Sequence, residues 1–483
     1  MTKTVTAFIA HILIILIIFT TFGVLSLQKD EQSEKGKFTG ELEHNVTIRI
    51  LENDTAKEMG YLKELLDSFN TEYAEYGITA VDANMDQYTD LENDGPYGYG
   101  PDVLYQANDA LMKYADGRHI LPIPTDKIEC GKYISNKAWN AYTAEVDGTE
   151  YVFGVPVNVQ APLLYYRKDM LPENWKKDWD DDQNGVPDMV EYWTKMYEYS
   201  KQIITESSGK KYGYMKSLFD PYFSVGYLFS YGAYVFGNEG KDTKDIGFSA
   251  GESYKGANII RQLASIMNEG CIDDTITVNS YSMIGNRTYF ATMTTPDVYT
   301  MFIKEMSLQY QREGLTETDA LYKAKENLIV TQIPKLPKSG DLEDFDSEMT
   351  ESIMMGGVNG YAVSSYTKAP NAALAFVNFA TSYEKIKRRN ELLGIVPARS
   401  DVANAVGGLS EMINQNLEKG NIEVMPSVRA ISRVWTPVRT FFEDLANDPY
   451  RKSEERKYLT KQSLIDGLKR VDQQSYNAIH TLN

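Results

Sequence analysis

The sequence predicts an α/β protein of two lobes joined by crossing strands, and three observations carry that reading. The chain has 483 residues, too many for one hydrophobic core. Its 42% hydrophobic and 24% charged residues are the composition of a globular protein. Gly154 to Pro172 is an apolar run rich in β-branched and aromatic residues and bounded by Gly and Pro, the pattern of a strand covered on both faces. It sits about a third of the way along, with acidic and aromatic clusters on either side, so it is expected to pass between the lobes.

Val5 to Leu27 form an apolar run behind Lys3, followed by Gln28-Lys29-Asp30-Glu31. A bilayer span needs about 20 residues, whereas a signal-peptide core has about 7–15. Residues 1–28 therefore predict an uncleaved membrane anchor, with a signal cleaved after Ser26 as the alternative. No cysteine follows the run, so lipid attachment through one is not expected. Either way the remainder lies outside the cell, and polar residues 29–45 read as a tether. The net charge of −19 excludes a phosphate-backbone partner, which needs a basic footprint. Cys130 and Cys271 cannot form a disulfide framework and read as unpaired thiols.

The first lobe opens with a strand at Val46 to Leu51 and a helix at Lys57 to Asn70, whose Tyr61, Leu62, Leu65, Leu66 and Phe69 share one face. Between them Asp54 lies in a strand-to-helix turn, aimed at a cleft or capping the helix. The strand Pro101 to Tyr105 leads to Asn108-Asp109. After the crossing, Asp180, Asp182, Asn184, Gly185, Asp188 and Glu191 fit the twelve-residue calcium loop. Oxygens of Asp180, Asp182 and Asn184, the Val186 carbonyl, Asp188 and the two oxygens of Glu191 suit a hard cation. The other reading is an acidic turn ahead of a helix at Val190 to Ile203, capped by Asp188. A lone loop containing Pro187 points to a structural Ca2+ clip rather than a paired sensor.

Asp220-Pro221-Tyr222-Phe223 follows, then Gly247-Phe248-Ser249-Ala250-Gly251. The latter fits the Gly-x-Ser-x-Gly of hydrolases but lacks an apolar strand before it and a suitable acid and histidine after it, so Ser249 reads as a helix N-cap. The chain has four histidines, little material for His-based catalysis. Met293 to Tyr299 precede a helical insertion at Phe302 to Asn327. Ile329 to Pro334 and Gly356 to Val363 return the chain to the first lobe, and a helix carrying Ala373, Leu374, Phe376, Val377 and Phe379 packs there. The chain is expected to cross again near Thr381 to Glu384. The first lobe is thus 46–158 and 333–382, and the second 159–332 and 383–483.

Taken together, these segments resemble the extracellular solute-binding proteins of sugar ABC transporters (family 1), the maltose/maltodextrin-binding proteins in particular. Tyr166 to Pro172 is similar to the family's Tyr-x-Lys-Asp-x-Leu-Pro, and the resemblance runs from about Asn45 to Asp466. It implies the type II periplasmic-binding-protein fold with several interlobe crossings. It also implies that Asp109 and Asp220 take sugar hydroxyls, that Tyr222 and Phe223 stack on pyranose faces, and that Asp54 and Gln160 face the ligand. Tyr299 stands where the family has Trp. In Trp435-Thr436-Pro437-Val438-Arg439 the Trp is the implied stacking platform and Arg439 a hydroxyl donor one turn later. Gln106 and Ala110 stand where maltodextrin binders have Trp and Arg, and Thr436 replaces a second aromatic.

The implied function is an extracellular oligosaccharide-binding protein, not an enzyme, that delivers its ligand to an ABC permease. The rivals are a surface glycan hydrolase using paired carboxylates such as Asp109 and Asp220, and a sugar-binding sensory subunit of a membrane receptor.

Overall fold

Thr47–Leu51 (β1), Thr79–Asp82 (β2) and Val103–Ala107 (β3) run parallel with β1 in the middle, burying Ile48, Ile50, Val103 and Leu104. The computed structural model describes residues 37–86, 90–146 and 148–481. The expected anchor and most of the tether lie outside the described residues, among which no helix is long and apolar enough to cross a membrane. The helix expected over 57–70 is two helices, Asp54–Glu58 and Tyr61–Glu72, broken at Gly60 with φ 78°. The five expected apolar residues form the buried face of the second.

The run from Gly154 to Pro172 contains not one strand but two, Val155–Gln160 (β4) and Leu163–Arg167 (β5). The chain leaves one sheet and enters another across Ala161-Pro162, where the proline has no N–H for a ladder. In β5 the side chains alternate as a two-sided strand must. Leu163 and Tyr165 join one core with Phe302 and Met306, while Leu164 and Tyr166 join the other with Trp193 and Phe290. The second sheet is completed by Tyr212–Tyr214 (β6), Tyr289–Thr294 (β7) and Leu328–Thr331 (β8), in the order β8-β5-β7-β6. The insertion is the helices Tyr299–Arg312 and Glu317–Asn327. Buried Arg167 ties this side together, donating to Asp169 at 2.8 and 2.6 Å and to the carbonyls of Ile284 and Gly285.

Met354–Val363 (β9), Val396–Pro397 (β10) and Ile422–Val424 (β11) belong to the first sheet, whose order is β10-β4-β9-β3-β1-β2 with β11 beside the start of β9. Two expected boundaries are corrected by this. Residues 333–353 stay with the second lobe, because Leu336 and Leu342 are buried in its core, and the return crossing is β9. The chain does not cross near Thr381 to Glu384. The helix Tyr383–Leu393 and strand β10 pack on the first lobe, and the last passage is Met425 to Ala430. Ser249 is not a helix cap either: its backbone N–H donates to Asp472, and the helix begins at Tyr254. The helix expected from Val190 begins at Trp193. Cys130 and Cys271 are both free.

What holds the Tyr383–Leu393 helix to the first lobe is a charge pair that the apolar pattern does not announce. Glu52, at the end of β1, and Arg389 are both fully buried and joined by two bonds of 2.6 and 2.9 Å. Tyr361 donates to the same carboxylate, and the guanidinium lies 4.1 Å from the Tyr105 ring centroid. Removing one partner leaves the other charge buried without compensation. Arg389→Met should therefore lower unfolding free energy in urea by about 3–5 kcal/mol; a loss within 1 kcal/mol would mean that the pair holds nothing.

Candidate binding cleft

Strand direction fixes where the site lies. β9 runs antiparallel to both β3 and β4, so β1, β3 and β4 point the same way. Their ends, Leu51, Ala107 and Gln160, emerge on one edge, followed by Asn53-Asp54, Asn108-Asp109 and the crossing. In the second sheet β6 and β7 are parallel and β5 is antiparallel to β7. The segments after β6 and β7, Met215 to Phe223 and Thr295 to Tyr299, therefore emerge beside Leu163, where the crossing ends. Two sets of carboxyl-end loops face each other across the crossing, the general position of ligand clefts in open α/β sheets.

Side chains meet there. The Tyr222 hydroxyl lies 3.4 Å from the Gln160 carbonyl, and after burial the carboxylates of Asp297, Asp220 and Asp109 bear on it and raise its pKa. Gln160, Asp109, Asp220, Tyr222 and Tyr299 are all part-exposed. Burial pushes the Asp109 carboxyl up, and burial pushes Asp220 up against the pull of Lys216. Asp220 caps the helix Pro221–Phe229 by accepting from the Tyr222 N–H at 3.0 Å. Farther out, Lys241 of the second lobe and Glu150 of the first form an exposed ion pair at 3.0 Å.

Trp435 and Arg439 lie on the helix Ile431–Asn447, which follows the last crossing and carries Pro437 in its interior. Trp435 is half-buried against the second core. Arg439 is already engaged, with Nη2 2.5 Å from Asp274 Oδ2, and Ser217 donates to the other Asp274 oxygen at 2.8 Å. Burial works against the Asp274 carboxylate, but the Arg439 and Ser217 bonds outweigh it and hold the pKa below its usual value. Asp54 lies apart from this group, exposed in the first turn of its helix with the Lys57 ammonium 3.9 Å away. Asn53 is the cap, accepting from the Ala56 N–H at 2.8 Å.

Three groups that the sequence reading did not select belong to this wall: Lys216, Asp274 and Asp297. Lys216 is 8% exposed, and its ammonium sits 3.3 Å from the Phe223 ring centroid. One face of Phe223, expected to stack on sugar, is therefore occupied. Asp297 Oδ1 is buried and has no hydrogen-bond partner among the described residues. The available signal for Lys216 was a single cation in the apolar run Tyr214-Met215-Lys216-Ser217-Leu218-Phe219; Asp297 lay inside a segment already singled out for Tyr299.

The Asp180 to Glu191 loop turns at Gly185, φ 83°, whose N–H approaches Asp180 Oδ2 at 3.2 Å. Asp188 accepts from the Asp181 N–H at 3.2 Å. The Asn184 amide nitrogen stands 3.0 Å from each Glu191 oxygen and 3.1 Å from Asp182 Oδ2, while its oxygen accepts from Val186 N–H at 2.7 Å. Among the described residues no group of three or more His, Cys, Asp or Glu side chains is arranged to hold a metal ion. Two carboxylates converge, and a neutral donor fills the point of convergence.

Residues 64–417 match the family described as bacterial extracellular solute-binding protein. The chain is 25% identical over 398 residues to a maltodextrin-binding protein of Bacillus subtilis, covering 80% of this chain and 83% of that one. It is 24% identical over 404 residues to a galactooligosaccharide-binding protein of the same organism, covering 82% and 84%. Among solved structures, a maltose-binding protein from Listeria monocytogenes in complex with maltose superposes with a TM-score of 0.62 at 20% identity, covering 88% of this chain and 97% of that one. That likeness shows a shared fold.

Lys216 gives the wall a measurable signature. Burial pushes its pKa down to about 8, against the pull of Asp220 and Asp274. The folded chain thus binds this proton less well than the unfolded chain, whose lysine keeps a value near 10.4. Below pH 8 both are protonated and the full cost of the buried charge is felt; from pH 8 to about 10.4 that cost is lifted, so this group's contribution to stability rises with pH. Lys216→Met should remove a rise on the order of 3 kcal/mol from unfolding measured between pH 7.5 and 10. Identical pH profiles for the two proteins would refute the assignment.

Proposed function

The chain belongs to the bacterial extracellular solute-binding protein family, and on that basis we propose that it binds an oligosaccharide outside the cell and delivers it to an ABC-type permease. The observation that carries this is the cleft: the Tyr222 hydroxyl of the second-lobe edge lies 3.4 Å from the Gln160 carbonyl at the end of β4, with the carboxylates of Asp109 and Asp220 bearing on it. A sugar offers hydroxyls to carboxylates and C–H faces to rings, and this wall supplies both partners. A ligand touching both edges favours the closed arrangement by its differential contacts alone. The relatives that bind maltodextrins and galactooligosaccharides by name support an oligosaccharide as the ligand class.

No bond is made or broken in this scheme. Asp109 and Asp220 act as hydroxyl acceptors. In titration calorimetry, maltotetraose or galactotriose should release heat on binding the protein from residue 28 onward, with no new reducing ends on long incubation. Trp435→Ala should weaken that binding by about 2–4 kcal/mol, the range for a central aromatic anchor, while the ligand-free melting temperature holds. Steady product release abolished by Asp109→Asn would replace this reading with hydrolysis.

The apolar run at residues 1–28 supports a role as the membrane tether that keeps the binding lobes near the permease. The Asp180 to Glu191 loop supports a calcium clip. Asp180, Asp182, Asn184, the Val186 carbonyl, Asp188 and Glu191 are oxygen donors of the kind calcium takes. The Asn184 amide nitrogen already marks the convergence of Asp182 and Glu191. Bound calcium would neutralise those charges and lock the turn. A chelator should then lower the melting temperature, and Glu191→Gln should erase the difference between chelated and calcium-loaded protein. Superimposable melting curves with millimolar calcium and with chelator would leave the loop as an acidic turn.

A further inference from the structure

Lys216 carries a burial cost that Asp220, Asp274 and the Phe223 ring offset only in part. It is 8% exposed, and among the described residues its ammonium makes no ion pair within 4.0 Å and no hydrogen bond. The Phe223 ring 3.3 Å away satisfies the charge in one direction by cation–π attraction but accepts none of its three N–H bonds in the ordinary way. Buried charges in settled cores are paired, as Glu52 and Arg389 are; an unpaired one in a cleft marks a place that a ligand completes.

The surroundings decide which ligand. The charges of Asp220 and Asp274 bear on Lys216, and Arg439 pairs with Asp274 at 2.5 Å. Asp274 is therefore taken, by Arg439 and by Ser217. Asp220, whose Oδ1 caps the Tyr222 helix, bears on Lys216 electrostatically without an ion pair within 4.0 Å among the described residues. An ammonium and a carboxylate held apart are matched by a group that accepts from one and donates to the other, which is what a hydroxyl does. A carboxylate or sulfate on the ligand would accept from Lys216 but meet Asp220 and Asp274, with Asp109 and Asp297 beyond Tyr222. Four carboxylates against two cations disfavour an anion there.

Resting on the oligosaccharide reading above, we infer that Lys216 and Asp220 form a subsite that clamps a hydroxyl of a neutral sugar unit, and that this subsite discriminates against uronic-acid oligosaccharides. The Lys216 ammonium donates to the hydroxyl oxygen, and the hydroxyl proton is shared with Asp220. The unit sits against the exposed edge of Phe223 rather than on the face that Lys216 covers. Of the two, Lys216 supplies the preference for a hydroxyl over a C–H group at this point, because only a bonded partner relieves its burial.

Calorimetric titration of the wild type, Lys216→Met and Lys216→Gln with maltotetraose, galactotriose and trigalacturonate tests this. The expected result is that the wild type binds at least one neutral sugar, that both variants bind it at least tenfold more weakly with melting temperatures no lower than wild type, and that trigalacturonate binds at least tenfold more weakly than the neutral sugar. Unchanged affinity in folded Lys216→Met and Lys216→Gln would overturn the Lys216 contact. Tighter binding of trigalacturonate than of either neutral sugar would overturn the neutral specificity and make the subsite an anion site. A wild type that binds none of the three would instead bring down the oligosaccharide reading, and the subsite with it.

Discussion

The three passages between the lobes are bonded to one another, and the cleft depends on that. β4 ends at Gln160 opposite Gly357 of β9, and β11 pairs with the start of β9, Met354 opposite Ile422 and Gly356 opposite Val424. The third passage leaves this ribbon at Met425, whose carbonyl accepts from buried Asn108 at 2.9 Å. Gly356 makes the close approach possible: a Cβ there would stand 2.4 Å from Ile422 Cγ2 and 3.0 Å from the Gln160 carbonyl oxygen. Ladder register resists slipping, so this bonded ribbon fixes how the three passages lie against one another.

The two buried cations show how the same physics serves fold and site. Arg389 and Glu52 are both withdrawn from water and matched by two bonds in fork geometry, with Tyr361 and Tyr105 closing the remaining sides. Such a pair adds little net stability but is costly to halve, so it specifies which helix docks at the end of β1. Lys216 is withdrawn almost as far and matched on one side only. Asp220 and Asp274 offset that burial only in part.

The sequence made the apolar architecture legible where periodicity is local. Tyr61 to Phe69 repeat at helical spacing and are buried; Leu163 to Tyr166 alternate and serve two cores. It was less informative where the outcome depends on a partner far along the chain. The placement of Tyr383–Leu393 in the first lobe rests on Arg389 finding Glu52, 337 residues away, and nothing in the local pattern reports such a pairing. The break at Ala161-Pro162 was visible as a proline, but whether it marked an end or a passage depended on which strands lay alongside. Lobe boundaries at 333 and 383 failed for that reason, since short strands such as Val396–Pro397 carry too few residues to declare a sheet.

In the site, resemblance located the segments better than it assigned the groups. Asp220, Tyr222 and Tyr299 lie in the segments after β6 and β7, which emerge beside the crossing, with other charged groups packed around them. Arg439, implied as a free hydroxyl donor, spends one of its nitrogens on Asp274, and Asp274 in turn is pinned by Ser217. That links the Trp435 helix, through Asp274, to the segment after β6. Phe223 keeps its position but gives one face to Lys216. With one Phe223 face covered, an oligosaccharide of the kind proposed would be held more by the direction of its hydroxyls than by the area of its rings, and epimers, which share ring area but differ in where each hydroxyl points, would be told apart on that ground.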